Sequence, residues 1–247
     1  MTTRCPWLAR LAFALLMAIA AVAATAEVQA QGVSAPSQST YVPSAGRGRV
    51  VVLLSGSSGP RQYKTFGEQL AKLGYYAVLL DGNDVLTKDR RGGDRLQMAI
   101  DRALASPNAL PGKIAVIGYS KGGGAALWYS AASPESVAVV IAYYPATTWI
   151  TEFSSYTNLT DVKDYATRIK VPVLMFAGEA DTYENCCLIA AARTIAASAG
   201  QLGAPLELVS YPGVQHGFNL EGLSRNDAAA RDSWQRTVER LAKYLGG

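Results

Sequence analysis

The sequence predicts a single α/β domain with a mostly parallel central sheet and helices on both faces. Three observations carry that reading. Short, nearly continuous apolar runs recur along the chain, as expected of strands covered on both faces rather than one. Helix-like stretches alternate with these runs, which specifies right-handed crossovers. No internal repeat or second composition regime interrupts residues 49–247.

Taken in order, residues 1–30 stand apart from the domain. Arg4 and Arg10 make a basic start, "LAFALLMAIAAVAA" (11–24) is an apolar run of signal-peptide length, and small residues near Ala26 and Ala30 offer cleavage sites. The run is short for a membrane span and no stop-transfer charges follow. A cleaved signal is therefore expected, with an exported product, periplasmic or secreted, that leaves the membrane. Residues 31–48 are rich in Ser, Pro and Gly and read as a flexible N-terminal segment. The domain should occupy 49–247. Its strands are expected at 49–55, 75–80, 113–118, 137–144, 171–177 and 206–211, and its helices at 63–73, 94–105, 121–132, 184–199 and 228–245. In the last helix Trp234, Val238, Leu241 and Leu245 recur at helical spacing, a core-facing stripe.

Charge and cysteine usage narrow the function. A formal net charge of +4 gives no reason to expect nucleic acid as a partner. Cys186 and Cys187 are adjacent, so they cannot staple distant parts of the fold. They form either a vicinal bridge, which an oxidising compartment permits, or two free thiols at the start of a helix. One histidine and two adjacent cysteines offer no recognised ligand spacing, so no metal is expected.

In a parallel α/β sheet, functional residues sit on loops leaving the carboxyl ends of the strands. "IGYSKGGG" (117–124) places Ser120 there, between Gly118 and Gly122, in the Gly-x-Ser-x-Gly pattern of a nucleophile elbow. A plain glycine turn would account for the same pentapeptide. The rest of the chain argues for chemistry. A serine nucleophile needs a base, and the single histidine, His216, follows the last expected strand on the same edge. The base needs an acid, and Asp181 follows the strand at 171–177. Glu179 is its competitor and more naturally braces the loop, while Asp161 and Asp164 lead into a strand and belong at the other edge. The order Ser, Asp, His is that of the α/β-hydrolases. The oxyanion is expected to face the backbone N–H of Lys121 and that of Ser57, with Gly56 as the alternative to Ser57.

"GYSKGG", "GEAD" and "YPGVQHGF", in that order and spacing, resemble the dienelactone-hydrolase branch of the α/β-hydrolase superfamily, from about Arg49 to the C-terminus. The resemblance implies an α/β-hydrolase fold with a small cap that acts on esters or lactones without a cofactor. The chain departs from that branch twice. Ser120 stands where the dienelactone enzymes carry cysteine, and Gly56 where they carry a glutamate, which points to a serine esterase. The Ser-x-Gly-Gly-Gly run is also similar to secreted cutinase-like polyester hydrolases.

Trp149, Phe153 and Tyr156 either line an apolar acyl site or pack a short helix onto the core. Arg90 and Arg91 either attract an acidic substrate or form solvated surface. The expected function is an exported serine hydrolase of small-molecule esters or lactones. Peptide cleavage is the alternative chemistry, and a non-catalytic binding protein on the same scaffold is the alternative class.

Overall fold

The computed structural model describes residues 35–86, 92–132, 135–148 and 162–246. Residues 1–34, 87–91, 133–134, 149–161 and 247 lie outside them, and with them the expected signal, Arg90, Arg91, Asp161 and the three aromatic residues Trp149, Phe153 and Tyr156. No helix among the described residues is long and apolar enough to cross a membrane.

Among the described residues seven strands form one sheet: β1 (Gln38–Tyr41), β2 (Val50–Leu54), β3 (Tyr76–Leu80), β4 (Ile114–Tyr119), β5 (Val137–Tyr143), β6 (Val173–Gly178) and β7 (Leu206–Tyr211). Their order is β1-β3-β2-β4-β5-β6-β7, and every pairing except β1 with β3 is parallel. The helices are α1 (Lys64–Lys72), the short α2 (Gly82–Val85), α3 (Gly92–Leu104), α4 (Lys121–Ala132), α5 (Ile189–Leu202) and α6 (Asp227–Leu245).

Alternate residues of each strand supply two cores. Val50, Val52, Val78, Val116 and Val140 face one layer, where Leu96, Ile100, Leu127 and Ile195 of α3, α4 and α5 cover them. Val51, Leu53, Ile117, Ile141 and Leu174 face the other, under Leu70 of α1 and Leu241 of α6. The first layer is mainly aliphatic. The second is aromatic towards the carboxyl edge, where Tyr119, Tyr143 and Phe176 lie side by side across β4, β5 and β6. Their ring centroids are 4.9 and 4.8 Å apart, within the range where aromatic pairs attract. That row forms a rigid floor under the loops above it.

Two expectations are corrected. Part of the segment read as flexible is an ordered edge strand: β1 pairs with β3 from Gln38↔Leu80 to Tyr41↔Ala77. The physical reason is that β3 would otherwise present an unpaired row of amides and carbonyls at the sheet edge. The helix expected at 184–199 starts instead at Ile189. Residues Tyr183–Asn185 form a separate 3-10 turn in which Glu184 and Asn185 have φ of 46° and 51°, a left-handed backbone that no α-helix continues through.

Candidate active site

Ser120 sits between β4 and α4 with φ 52°, a conformation that costs a non-glycine residue about 1–3 kcal/mol. Its surroundings leave it no alternative. Its N–H donates to the Tyr143 carbonyl at 2.9 Å, and its own carbonyl accepts from Gly124 N at 3.0 Å and Ala146 N at 2.9 Å. Gly118 and Gly122 allow the close approach behind it, since a Cβ on Gly118 would collide with the α4 backbone at Gly122 and one on Gly122 with the carbonyls of Leu54 and Ser55. The hydroxyl is thereby turned out over the sheet edge.

His216 lies on the turn after β7, and Asp181 on the loop after β6. Backbone bonds stitch these loops together, from Glu179 N to Tyr211 O and from Ala180 N to Val214 O, both at 3.0 Å. Ser120 Oγ and His216 Nε2 are 3.0 Å apart, and His216 Nδ1 stands 2.7 Å from Asp181 Oδ2. The carboxylate only accepts, which makes Nδ1–H the donor and leaves Nε2 to accept the serine proton. The Asp181 side chain is fully buried and that of His216 is 12% exposed. The second oxygen of Asp181 accepts from Tyr183 N at 3.0 Å. Glu179 takes the bracing role: it accepts from Ser210 at 2.7 Å and pairs with Arg193 at 2.6 Å. The Ser210 hydroxyl first, and then the Arg193 guanidinium, hold its carboxyl below the usual value.

Two rings fix the imidazole. Tyr183 stacks on it with centroids 4.5 Å apart and planes 9° from parallel, and Tyr144 meets it edge-on at 4.6 Å. Tyr144 is itself tied to Asn219 Oδ1 at 2.7 Å. Cys186 and Cys187 are bonded to each other. The donor atoms of Asp181, Cys187 and His216 lie within 4.8 Å of one another, but the sulfur is committed to the bridge and the imidazole to the serine and aspartate.

The expected oxyanion donors flank the serine. Lys121 opens α4, where first-turn amides have no partner within the helix. Ser57 shares with Ser120 the wall of a cleft of about 300 Å³. Its loop is tied to the elbow by a side-chain relay: Lys121 Nζ donates to Asn83 Oδ1 at 3.0 Å, and Asn83 Nδ2 donates to the Ser57 carbonyl at 3.0 Å. Burial lowers the Lys121 ammonium pKa, opposed by the charges of Asp81 and Asp84. Tyr144, Ala180, Tyr183, Leu220 and Leu223 give the cleft its apolar wall, and no Lys, Arg, Asp or Glu lines it among the described residues. Sequence reasoning missed Tyr63, Asn83, Tyr144, Tyr183 and Leu223. Only the aromatic residue two after Asp181 had a local signal, its place on the acid loop.

Comparison with known proteins agrees with this architecture. Residues 38–245 match the dienelactone hydrolase family. A carboxymethylenebutenolidase of Rhodococcus opacus is 29% identical over 218 residues, covering 81% of this chain and 83% of that protein. A Salmonella typhimurium relative is 30% identical over 138 residues, and there the match covers 54% of this chain and 47% of the relative. Among solved structures, a thermophilic esterase from Thermogutta terrifontis has a TM-score of 0.64 at 20% identity, over 83% of this chain and 86% of that one. The same esterase is known phosphonylated by sarin. Est1E from Butyrivibrio proteoclasticus also has a TM-score of 0.64, at 14% identity, over 83% of this chain and 94% of that one. The chain belongs to the dienelactone hydrolase family and is a carboxylic-ester hydrolase with the α/β-hydrolase fold.

Proposed function

We propose that this protein is an exported serine hydrolase that cleaves uncharged carboxylic esters or lactones through an acyl-enzyme on Ser120. The observation that carries the reading is the continuous line Ser120 Oγ, His216 Nε2, His216 Nδ1, Asp181 Oδ2, at 3.0 and 2.7 Å. His216 takes the serine proton as Oγ attacks the ester carbonyl. The carbonyl electron pair moves onto oxygen, where the Lys121 and Ser57 amides receive it. Collapse of the intermediate expels the alcohol, which takes the proton back from His216. A water molecule, deprotonated by the same imidazole, then attacks the acyl group and frees the acid. Asp181 holds the ring in the tautomer this requires and stabilises the imidazolium.

Sarin's attachment to the similar Thermogutta esterase is in keeping with such a nucleophile. The neutral cleft wall supports an uncharged substrate, since a buried carboxylate without a cation is costly. Export is supported by the basic and then apolar pattern of residues 1–30, and a cysteine bridge suits an oxidising compartment. The test is turnover of neutral p-nitrophenyl esters, of esters bearing a free carboxylate, of lactones and of aminoacyl amides, with Ser120→Ala as control. Neutral esters or lactones should be hydrolysed fastest and the variant should be inactive. Fastest turnover of aminoacyl amides, or an active variant, contradicts the reading.

A further inference from the structure

Tyr63 ends the 3-10 turn Pro60–Tyr63 that follows the Ser55–Gly59 loop. Its ring is packed against Tyr119 with centroids 4.7 Å apart and lies 6.4 Å from Phe66, so it is fixed from below. Only 2% of the residue is exposed, yet it lines the same cleft as Ser120 and His216. The hydroxyl end is therefore the part that meets the cavity. Gly56 shows where that end lies: a methyl group built on it would stand 2.6 Å from the Tyr63 hydroxyl and 3.3 Å from Ser120 Cβ. A residue with a side chain at 56 would displace the phenol. The glycine keeps a channel open between the hydroxyl and the nucleophile.

We propose that the Tyr63 hydroxyl is a third hydrogen-bond donor to the oxyanion, beside the amides of Ser57 and Lys121, and hence a further catalytic residue of this site. The inference rests on the Ser120 acyl-enzyme reading above. As Ser120 Oγ bonds to the carbonyl carbon, its proton passes to His216 Nε2 and the carbonyl π pair moves onto oxygen. Tyr63 lends that oxygen a hydrogen bond and keeps its own proton. Burial pushes the phenol up to about 12, so it stays a donor throughout the neutral range. In the resting site its polar neighbours are the Gly56 backbone, Ser58 and Tyr144. The Tyr144 hydroxyl proton is already given to Asn219, so Tyr144 does not compete as a donor to the substrate. A donor held by packed rings needs little reorganisation when charge develops, which is what makes such groups effective.

Tyr63→Phe removes the hydroxyl and keeps the ring packing. For one donor of three, kcat should fall about 10- to 100-fold with KM changed by less than about threefold. The thermal midpoint should be unchanged. An alkylboronic acid forms a tetrahedral anionic adduct on the serine, and its affinity should fall by a similar factor, which a merely structural role would not produce. The proposal is overturned if kcat stays within about twofold of wild type, or if kcat falls while boronate affinity holds. Ser120→Ala, assayed alongside, separates the two readings. An inactive Ser120→Ala with an unimpaired Tyr63→Phe sinks this inference alone, whereas an active Ser120→Ala sinks the acyl-enzyme reading beneath it.

Discussion

The loop after β4 and the loop after β6 both reach a left-handed backbone, and they are held there by different means. At the elbow a single residue, Ser120, carries the positive φ, and Gly118 and Gly122 give the neighbouring backbone the room to enforce it. On the acid loop two consecutive residues with full side chains, Glu184 and Asn185, are left-handed, and neither is forced by close packing, since both are exposed. What closes that loop is bonding at its ends. Asp181 accepts from Tyr183 N at one end, and the bonded pair Cys186–Cys187 lies at the other, with the Cys186 carbonyl accepting from Thr148 N at 3.1 Å and Thr148 Oγ1 at 2.8 Å. The nucleophile is thus positioned by space and the acid by tethers. A site placed by excluded volume tolerates almost no substitution of its glycines, whereas one placed by tethers can be loosened in steps.

The comparison makes graded predictions. The largest concerns the two carboxylates of the acid loop. Asp181→Asn should lower kcat about 10³- to 10⁴-fold, because the amide no longer enforces the Nδ1–H tautomer. Glu179→Gln, two residues away, should lower it by less than about threefold, as expected of a group that braces Ser210 and Arg193. Equal losses from the two variants would break the distinction between acid and brace. Steady-state kinetics on a neutral ester decides it.

A smaller effect is expected from the tether. Cys186→Ala/Cys187→Ala should reduce kcat about tenfold by letting Asp181 and Tyr183 drift from the imidazole, a modest case of what misplacing a catalytic group costs. KM should hold. A double variant with wild-type kcat would show that backbone bonding alone holds the acid. The smallest effect is one of stability. Glu184→Gly relieves a left-handed glutamate and should stabilise the fold by about 0.5–1 kcal/mol, raising Tm by about 1–3 °C. A lowered Tm would mean that the side chain contributes more than the backbone strain removes.

The same contrast explains what the sequence reveals. Strands β2 to β6 are legible because a strand buried on both faces must be apolar throughout, and α4 appears over its full length, Lys121–Ala132, because the elbow fixes where it starts. Ser120, Asp181 and His216 are legible because each follows a strand on the same edge. β1 is not, since Gln38–Tyr41 is short and polar and exists only because β3 offers it an edge. The start of α5 is misread because nothing in the composition of Glu184 and Asn185 announces a positive φ, and the bond between Cys186 and Cys187 is decided only by the folded loop. Tyr63 escapes for a related reason. It lies 57 positions before Ser120, and only the parallel pairing of β2 with β4 in the sheet brings the two to one cleft.

The central claim is that Ser120 becomes covalently acylated with His216 and Asp181 behind it. Its most direct measurement is mass mapping of the folded protein after reaction with a fluorophosphonate. The account predicts one adduct per chain, on the peptide that carries Ser120, abolished in Ser120→Ala and formed far more slowly in Asp181→Asn. Full labelling of Ser120→Ala, or no labelling of a folded wild type that still turns over ester, would contradict it.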